Sequence, residues 1–119
     1  KNKILILEDD TTRINTFIEM LYKHDLVITE NAYDAIEYLT TSTFDLIFLD
    51  HDLGIDNGSG SIVSSFLRES RNNNNNQAVV IVHSWNVPAS KGMMRDLPGA
   101  AWAPFGTEGF YELAIKDSK

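Results

Sequence analysis

Three stretches of the chain end an apolar run in groups that are costly to bury. Glu8, Asp9 and Asp10 follow "KILIL"; Asp50, His51 and Asp52 follow "DLIFL"; His83, with Ser84 and Asn86 behind it, follows "AVVIV". Acids brought together can hold a hard divalent cation, and a histidine beside them can exchange protons near neutral pH. Two carboxylates about 4 Å apart repel by roughly 4 kcal/mol at an effective dielectric of about 20, so such a cluster needs a neutralising partner. A Lys or Arg, a shared proton or a divalent cation would each serve. Carboxylate and carbonyl oxygens suit Mg²⁺, with Mn²⁺ as the alternative, and Mg²⁺ keeps waters and takes up substrate phosphate. The plainer alternative is that acids end strands and face water. Three acids after one strand, and two around a histidine after another, favour a site.

Bringing these stretches together is the task of the elements between them. Apolar runs at 3–7, 26–29, 45–49 and 78–82, with a weaker one at 99–103, read as strands. Between them lie helical stripes: Ile14, Phe17, Ile18 and Leu21, with Thr11 or Thr12 as cap; then Ala32, Ala35, Ile36 and Leu39; then Ile62, Val63, Phe66 and Leu67. Met93, Met94 and Leu97 suggest a short fourth helix, and 107–116 a closing one. The third and fourth strands are apolar throughout, so both their faces should be covered.

Strands alternating with helices predict an α/β fold, a doubly wound three-layer sandwich with helices on both faces. The flavodoxin-like order 2-1-3-4-5 places ligands at the carboxyl ends of the central strands. There the first and third strands are neighbours, roughly 4.8 Å apart. Their acids would meet at one rim, with His83 standing across from Asp9 and Asp50.

Other residues are weighed around this rim. Strand alternation aims His51 away from Asp50 unless the loop turns it back. His24 reads as a surface residue. Trp85 suits either stacking on a base or a structural lid against the fourth helix. "NGSGS" (57–61) can present backbone N–H groups to phosphate or simply start a helix, and Lys91 is a possible phosphate contact. The run "RNNNNNQ" (71–77) reads as a mobile surface loop without chemical consequence.

The 119 residues, 43% of them hydrophobic, suit a single domain spanning 1–119. There is no cysteine, which removes disulfides and thiolate metal sites and is compatible with a reducing compartment. A formal charge of −7 argues against duplex DNA as a partner but not against a small phosphorylated ligand held through a cation. "ILIL" and "AVVIV" are far too short to cross a bilayer. A cytoplasmic protein is the expectation.

Together, "ILILEDD", "FDLIFLD" and the "APF" near the carboxyl end resemble the receiver (CheY-like) domain of two-component response regulators. The resemblance implies that Glu8 and Asp9 form the acidic pair, that Asp50 joins them on Mg²⁺ and accepts a phosphoryl group, and that Asp52 offers its backbone carbonyl to the metal. The pattern departs at two places. His83 stands where receivers carry Ser or Thr, and Ala103, before Pro104 and Phe105, stands where they carry Lys. "LDHDLG", "IVHSWN" and the following "GMM" and "LPGA" look more like the cyclic-phosphate processing receiver-like subgroup.

That resemblance implies metal-dependent hydrolysis of a cyclic phosphate, on a cyclic nucleotide or an RNA 2′,3′-cyclic end. Glu8, Asp9, Asp50 and Asp52 would hold the cation. Asp50, His83 and His51 would be the catalytic groups, with His83 as proton donor or acceptor and His51 as its partner. Ser84, Asn86 and Lys91 would contact phosphate or substrate. The alternative is a receiver or pseudo-receiver signalling module, phosphorylated on Asp50 or binding partners without phosphorylation.

Overall fold

The computed structural model describes residues 1–69 and 74–119. Along them run β1 (Lys3–Leu7), α1 (Thr11–Leu21), β2 (Asp25–Thr29), α2 (Ala32–Thr41), β3 (Leu46–Leu49), α3 (Gly60–Glu69), β4 (Val79–Val82), α4 (Val87–Asp96), β5 (Ala101–Trp102) and α5 (Glu108–Asp117). The strands form one parallel sheet in the expected order β2-β1-β3-β4-β5.

Alternation along the strands fills both faces. Ile4, Ile6, Leu46, Phe48 and Ile81 turn toward Phe17 and Leu21 of α1 and Phe110 and Ala114 of α5. Leu5, Leu7, Ile47, Leu49 and Val80 turn the other way, against Ala32, Ala35 and Leu39 of α2 and Val63 of α3. Burial of this kind contributes about 1.5–3 kcal/mol for each large side chain removed from water. Packing departs from the sequence pattern at its margins. Ile18 faces solvent despite its place in the α1 stripe, and Val79 is exposed where β4 begins.

Three local features also differ from expectation. Asp10, not Thr11 or Thr12, caps α1, accepting the Arg13 N–H at 2.9 Å. Helix α4 is a full ten residues, started by the Asn86 cap and Pro88 in its first turn, while β5 shrinks to two. The asparagine run has a structural consequence. Its first residues, 71–73, lie outside the described residues, but Asn75 is buried. Its Oδ1 accepts the Phe44 N–H at 2.7 Å, and its Nδ2 donates to the carbonyls of Leu39 and Ser42 at 2.8 and 2.9 Å. The carbonyl of Leu39, in the last turn of α2, lacks an intrahelical partner, and this side chain supplies one. Among the described residues, no helix is long and apolar enough to cross a membrane.

Candidate active site at the carboxyl rim of the sheet

Register decides which of the rim residues meet. Leu7, Leu49 and Val82 are partners in the last paired row of β1, β3 and β4. One residue further along each strand stand Glu8, Asp50 and His83. The ladder reaches them too: the Asp50 N–H donates to the Leu7 carbonyl at 3.2 Å and the His83 N–H to the Leu49 carbonyl at 3.0 Å. Sharing parity with Ile6, Phe48 and Ile81, all three side chains turn toward the α1/α5 face. Their ligand atoms lie within 4.8 Å of one another, and all three residues are buried. Ala103 is next in the row, buried, with its N–H bonded to the Val82 carbonyl.

Buried charges in this row are settled by short contacts. His83 Nε2 lies 2.9 Å from Glu8 Oε1, and Glu8 Oε2 accepts the N–H groups of Asp9 and Asp10 at 3.0 Å each. Burial alone would raise Glu8. The His83 hydrogen bond and charge, the Asp10 N–H and Arg13 outweigh it and hold the carboxyl below its usual range. Glu8 is therefore the acceptor and His83 Nε2 the donor. His83 Nδ1 is buried with no hydrogen-bond partner among the described residues. The imidazole sits among Phe17, Phe48, Phe105 and Phe110, with ring centroids 5.2 to 6.3 Å away. Asp50 is pushed up to about 6, first by burial and then by the charge of Glu8, with His83, its own contact to the His51 N–H and Arg13 pulling the other way.

In front of this row opens a cavity of about 250 Å³. Its walls carry Glu8, Asp9, Asp10, Asp50 and Asp52 against a single cation, Arg13, among the described residues. Ser84, Trp85 and Asn86 complete the lining from the loop between β4 and α4. Asp9 lines the cavity but is not part of the buried triad. The convergence expected of Asp9, Asp50 and His83 is instead one of Glu8, Asp50 and His83, because Asp9 has the opposite strand parity. Burial, then the charge of Glu8, raises Asp9 above the usual carboxylate range.

Neither histidine lines the cavity, contrary to the roles expected of them. His83, expected to donate or accept a proton from substrate, is fully buried behind Glu8 and does not line the cavity. His51, expected to partner His83, is turned outward by alternation and sets Nδ1 2.9 Å from Asp52 Oδ1. That hydrogen bond holds Asp52 below its usual range, helped by the Asn86 amide at 3.3 and 3.4 Å from the two Asp52 oxygens. Asn86 also caps α4 through the Ala89 N–H, and Ser84 Oγ accepts the Asn86 N–H at 3.0 Å. Lys91 lies exposed on α4, away from the cavity lining. Trp85 is tied to the loop after β5, its N–H donating to the Phe105 carbonyl at 2.9 Å.

"NGSGS" closes the loop from β3 to α3. Gly58 adopts φ of +71°, a conformation glycine enters freely. A Cβ on Gly60 would stand 1.9 Å from the Asp50 carbonyl oxygen, so only glycine lets the helix start approach the strand end. Arg13 is the site residue the sequence reading missed. Its signal was positional: one turn into the helix that Asp10 caps, it must point back toward the same rim.

The donor set fits a divalent cation. Hard carboxylate oxygens from two adjacent strands converge on one cavity, and burial, with a smaller push from Glu8, leaves Asp50 reluctant to ionise there without a further cation.

In sequence, residues 4–98 match the family model described as "Cyclic-phosphate processing Receiver domain". No curated protein matches the chain. Solved structures similar in fold include the phosphorylated cyanobacterial phytochrome response regulator RcpA, at TM-score 0.76 and 20% identity, covering 97% of this chain and 89% of that one. The Mn²⁺-bound form of response regulator Rcp1 aligns at TM-score 0.74 and 17% identity over 98% and 91% of the two chains. Response regulator TrrA from Thermotoga maritima, in complex with Mg²⁺-BeF, aligns at 0.73 and 18% over 98% and 99%. At these identities the likeness shows the fold alone.

Proposed function

The chain belongs to the cyclic-phosphate processing receiver domain family, and on that premise we propose that it opens a cyclic phosphodiester by metal-dependent hydrolysis at the rim cavity. One observation carries the proposal. Five acids face one guanidinium there, while Ala103, not a lysine, stands in the row behind them. A cavity so charged suits a cation together with the phosphate that it brings in.

Asp9, Asp50 and the backbone carbonyl of Asp52 would hold that cation, with Glu8 behind them. When bound, a divalent cation supplies Lewis acidity toward a phosphoryl oxygen and lowers the pKa of attacking water. Solved relatives in fold carry Mn²⁺ or Mg²⁺ by name, which agrees with this choice of metal. Ring opening adds one water across one P–O ester bond: the water oxygen bonds to phosphorus, the departing alkoxide takes a proton, and a linear monoester remains. Neither rim histidine lines the cavity: His51, the one that meets solvent, acts through Asp52, whose carboxylate it holds by Nδ1, and the departing alkoxide takes its proton from the water that adds. His83 acts indirectly, by fixing the Glu8 carboxylate.

The test is incubation with Mg²⁺ or Mn²⁺ and a panel of 2′,3′- and 3′,5′-cyclic nucleotides, beside acetyl phosphate. Appearance of linear monophosphate, abolished by Asp50→Asn and slowed by His51→Ala, is the expected result. A stable acyl phosphate on Asp50 with no cyclic substrate turned over would reject hydrolysis. It would instead favour the signalling alternative, which draws support from the receiver-like placement of Glu8, Asp9 and Asp50.

A further inference from the structure

We propose that Arg13 and Trp85 form a two-point subsite for a nucleoside phosphate at the rim cavity, the guanidinium taking the free phosphate oxygens and the indole face taking the base. This rests on the reading of the cavity as a cyclic-phosphate site, and it names the substrate class as nucleoside cyclic phosphates.

Arg13 is positioned without being saturated. Its guanidinium carbon lies 5.2 Å over the Phe105 ring, and Nη1 is 3.8 Å from Glu8 Oε1, beyond hydrogen-bond length. The aromatic face and the charge fix where the group sits, while its fork of donors is not closed on a bidentate carboxylate. Such a planar fork matches two free oxygens on one phosphorus.

Trp85 lines the same cavity and is 58% exposed. Its one polar side-chain atom is committed to the Phe105 carbonyl, so the ring is oriented and the rest of the indole is apolar, aromatic surface. Bases of every kind stack on such a face, because each has a π-face of its own. Phe105 thus braces both recognition groups, its ring under Arg13 and its carbonyl under Trp85. Its own N–H donates to the His83 carbonyl at 2.9 Å, tying the brace to the sheet. A phosphate bearing a flat base engages both groups; one bearing only an aliphatic chain engages Arg13 alone.

The test compares the 2′,3′-cyclic monophosphates of adenosine and cytidine with glycerol 1,2-cyclic phosphate as substrates under Mg²⁺. Their linear products, the adenosine and cytidine 3′-monophosphates and glycerol phosphate, serve as calorimetric ligands. Both nucleosides should exceed the glycerol compound by about 10-fold or more in kcat/KM and in affinity. Trp85→Ala should bring them down to the glycerol level, and Trp85→Phe should keep most of the advantage. Arg13→Met should weaken all the phosphates by about 10-fold or more while tightening Mg²⁺ binding, because a competing positive charge has gone. Equal handling of base-bearing and base-free compounds by the unaltered protein, or nucleotide affinity indifferent to Trp85→Ala, overturns the subsite and leaves cyclic-phosphate hydrolysis standing. Absence of turnover of every cyclic phosphate by the unaltered protein overturns both.

Discussion

His83 Nε2 and Glu8 Oε1 meet at 2.9 Å, joining two fully buried side chains that lie 75 residues apart in sequence. The pair is the innermost layer of the rim site, with Asp50 between the strands that carry it. Removing one member leaves the other desolvated without its counterpart, which costs about 3–5 kcal/mol for buried pairs.

His83→Ala should therefore destabilise the protein by about 3 kcal/mol or more, and Glu8→Leu combined with His83→Phe should recover a large part of that loss. Urea denaturation of Glu8→Leu, His83→Phe and the double variant gives the coupling. Additive losses would show that the two side chains do not stabilise each other.

Gly60 offers a steric test of the loop that sets Asp50. A Cβ there falls 1.9 Å from the Asp50 carbonyl oxygen, so Gly60→Ala must move either the α3 start or the strand end. A loss of about 2 kcal/mol or more is expected, together with weaker Mg²⁺ binding. Gly99→Ala, whose added Cβ meets nothing within 4 Å, is the control and should change stability by less than about 0.5 kcal/mol. Equal denaturation midpoints for the two variants would contradict the close approach.

Asn75 should prove to be a stability residue remote from the chemistry. Asn75→Ala removes one acceptor and two donor contacts that satisfy Phe44, Leu39 and Ser42, at a cost of about 2–3 kcal/mol. Its neighbour Asn76, exposed in the same run, should tolerate Ala with little change. The comparison of melting temperatures is direct, and a neutral Asn75→Ala would remove the staple from the account.

Much of this was legible in sequence because strand periodicity and strand order together determine where acids go. Each member of the buried row is the first residue after an apolar run: Glu8 after Leu7, Asp50 after Leu49, His83 after Val82. Parity turns His51 outward, as the strand alternation predicts, and counting it from the same ends would have set Glu8, not Asp9, beside Asp50 and His83. Enclosure of His83 was not legible, since it depends on Phe17 and Phe110 arriving from helices far along the chain. Nor was Asn75, because five identical residues give no local reason for one of them to be buried. The sequence leaves Trp85 open between a base-stacking group and a lid against α4 for a similar reason: the Phe105 carbonyl that holds it belongs to a turn 20 residues on.

Asp50 ties stability, pH and metal together, and the sign of the effect can be worked out. Its folded-state pKa, about 6, lies above the reference value of 3.8, so the folded protein binds this proton more tightly than the unfolded chain does. That contribution is fully present below 3.8, is lost as pH rises to about 6, and is absent at neutrality. Asp9 shifts in the same direction. Glu8 runs oppositely, but its lowered pKa confines its effect to pH below its reference value of 4.5. Through these carboxyls the metal-free protein should gain stability as pH falls from 7 to 5, and Asp50→Asn should raise stability at pH 7 by on the order of 2–3 kcal/mol. Mg²⁺ competes with the proton for the same oxygens, so it should stabilise the unaltered protein more at pH 7 than at pH 5 and should barely affect Asp50→Asn. Urea denaturation at both pH values, with and without Mg²⁺, reads all of these. If Asp50→Asn lowers stability at pH 7 without metal, the cost of burying an ionised Asp50 at this rim is absent, and the case for a cation there loses its physical basis.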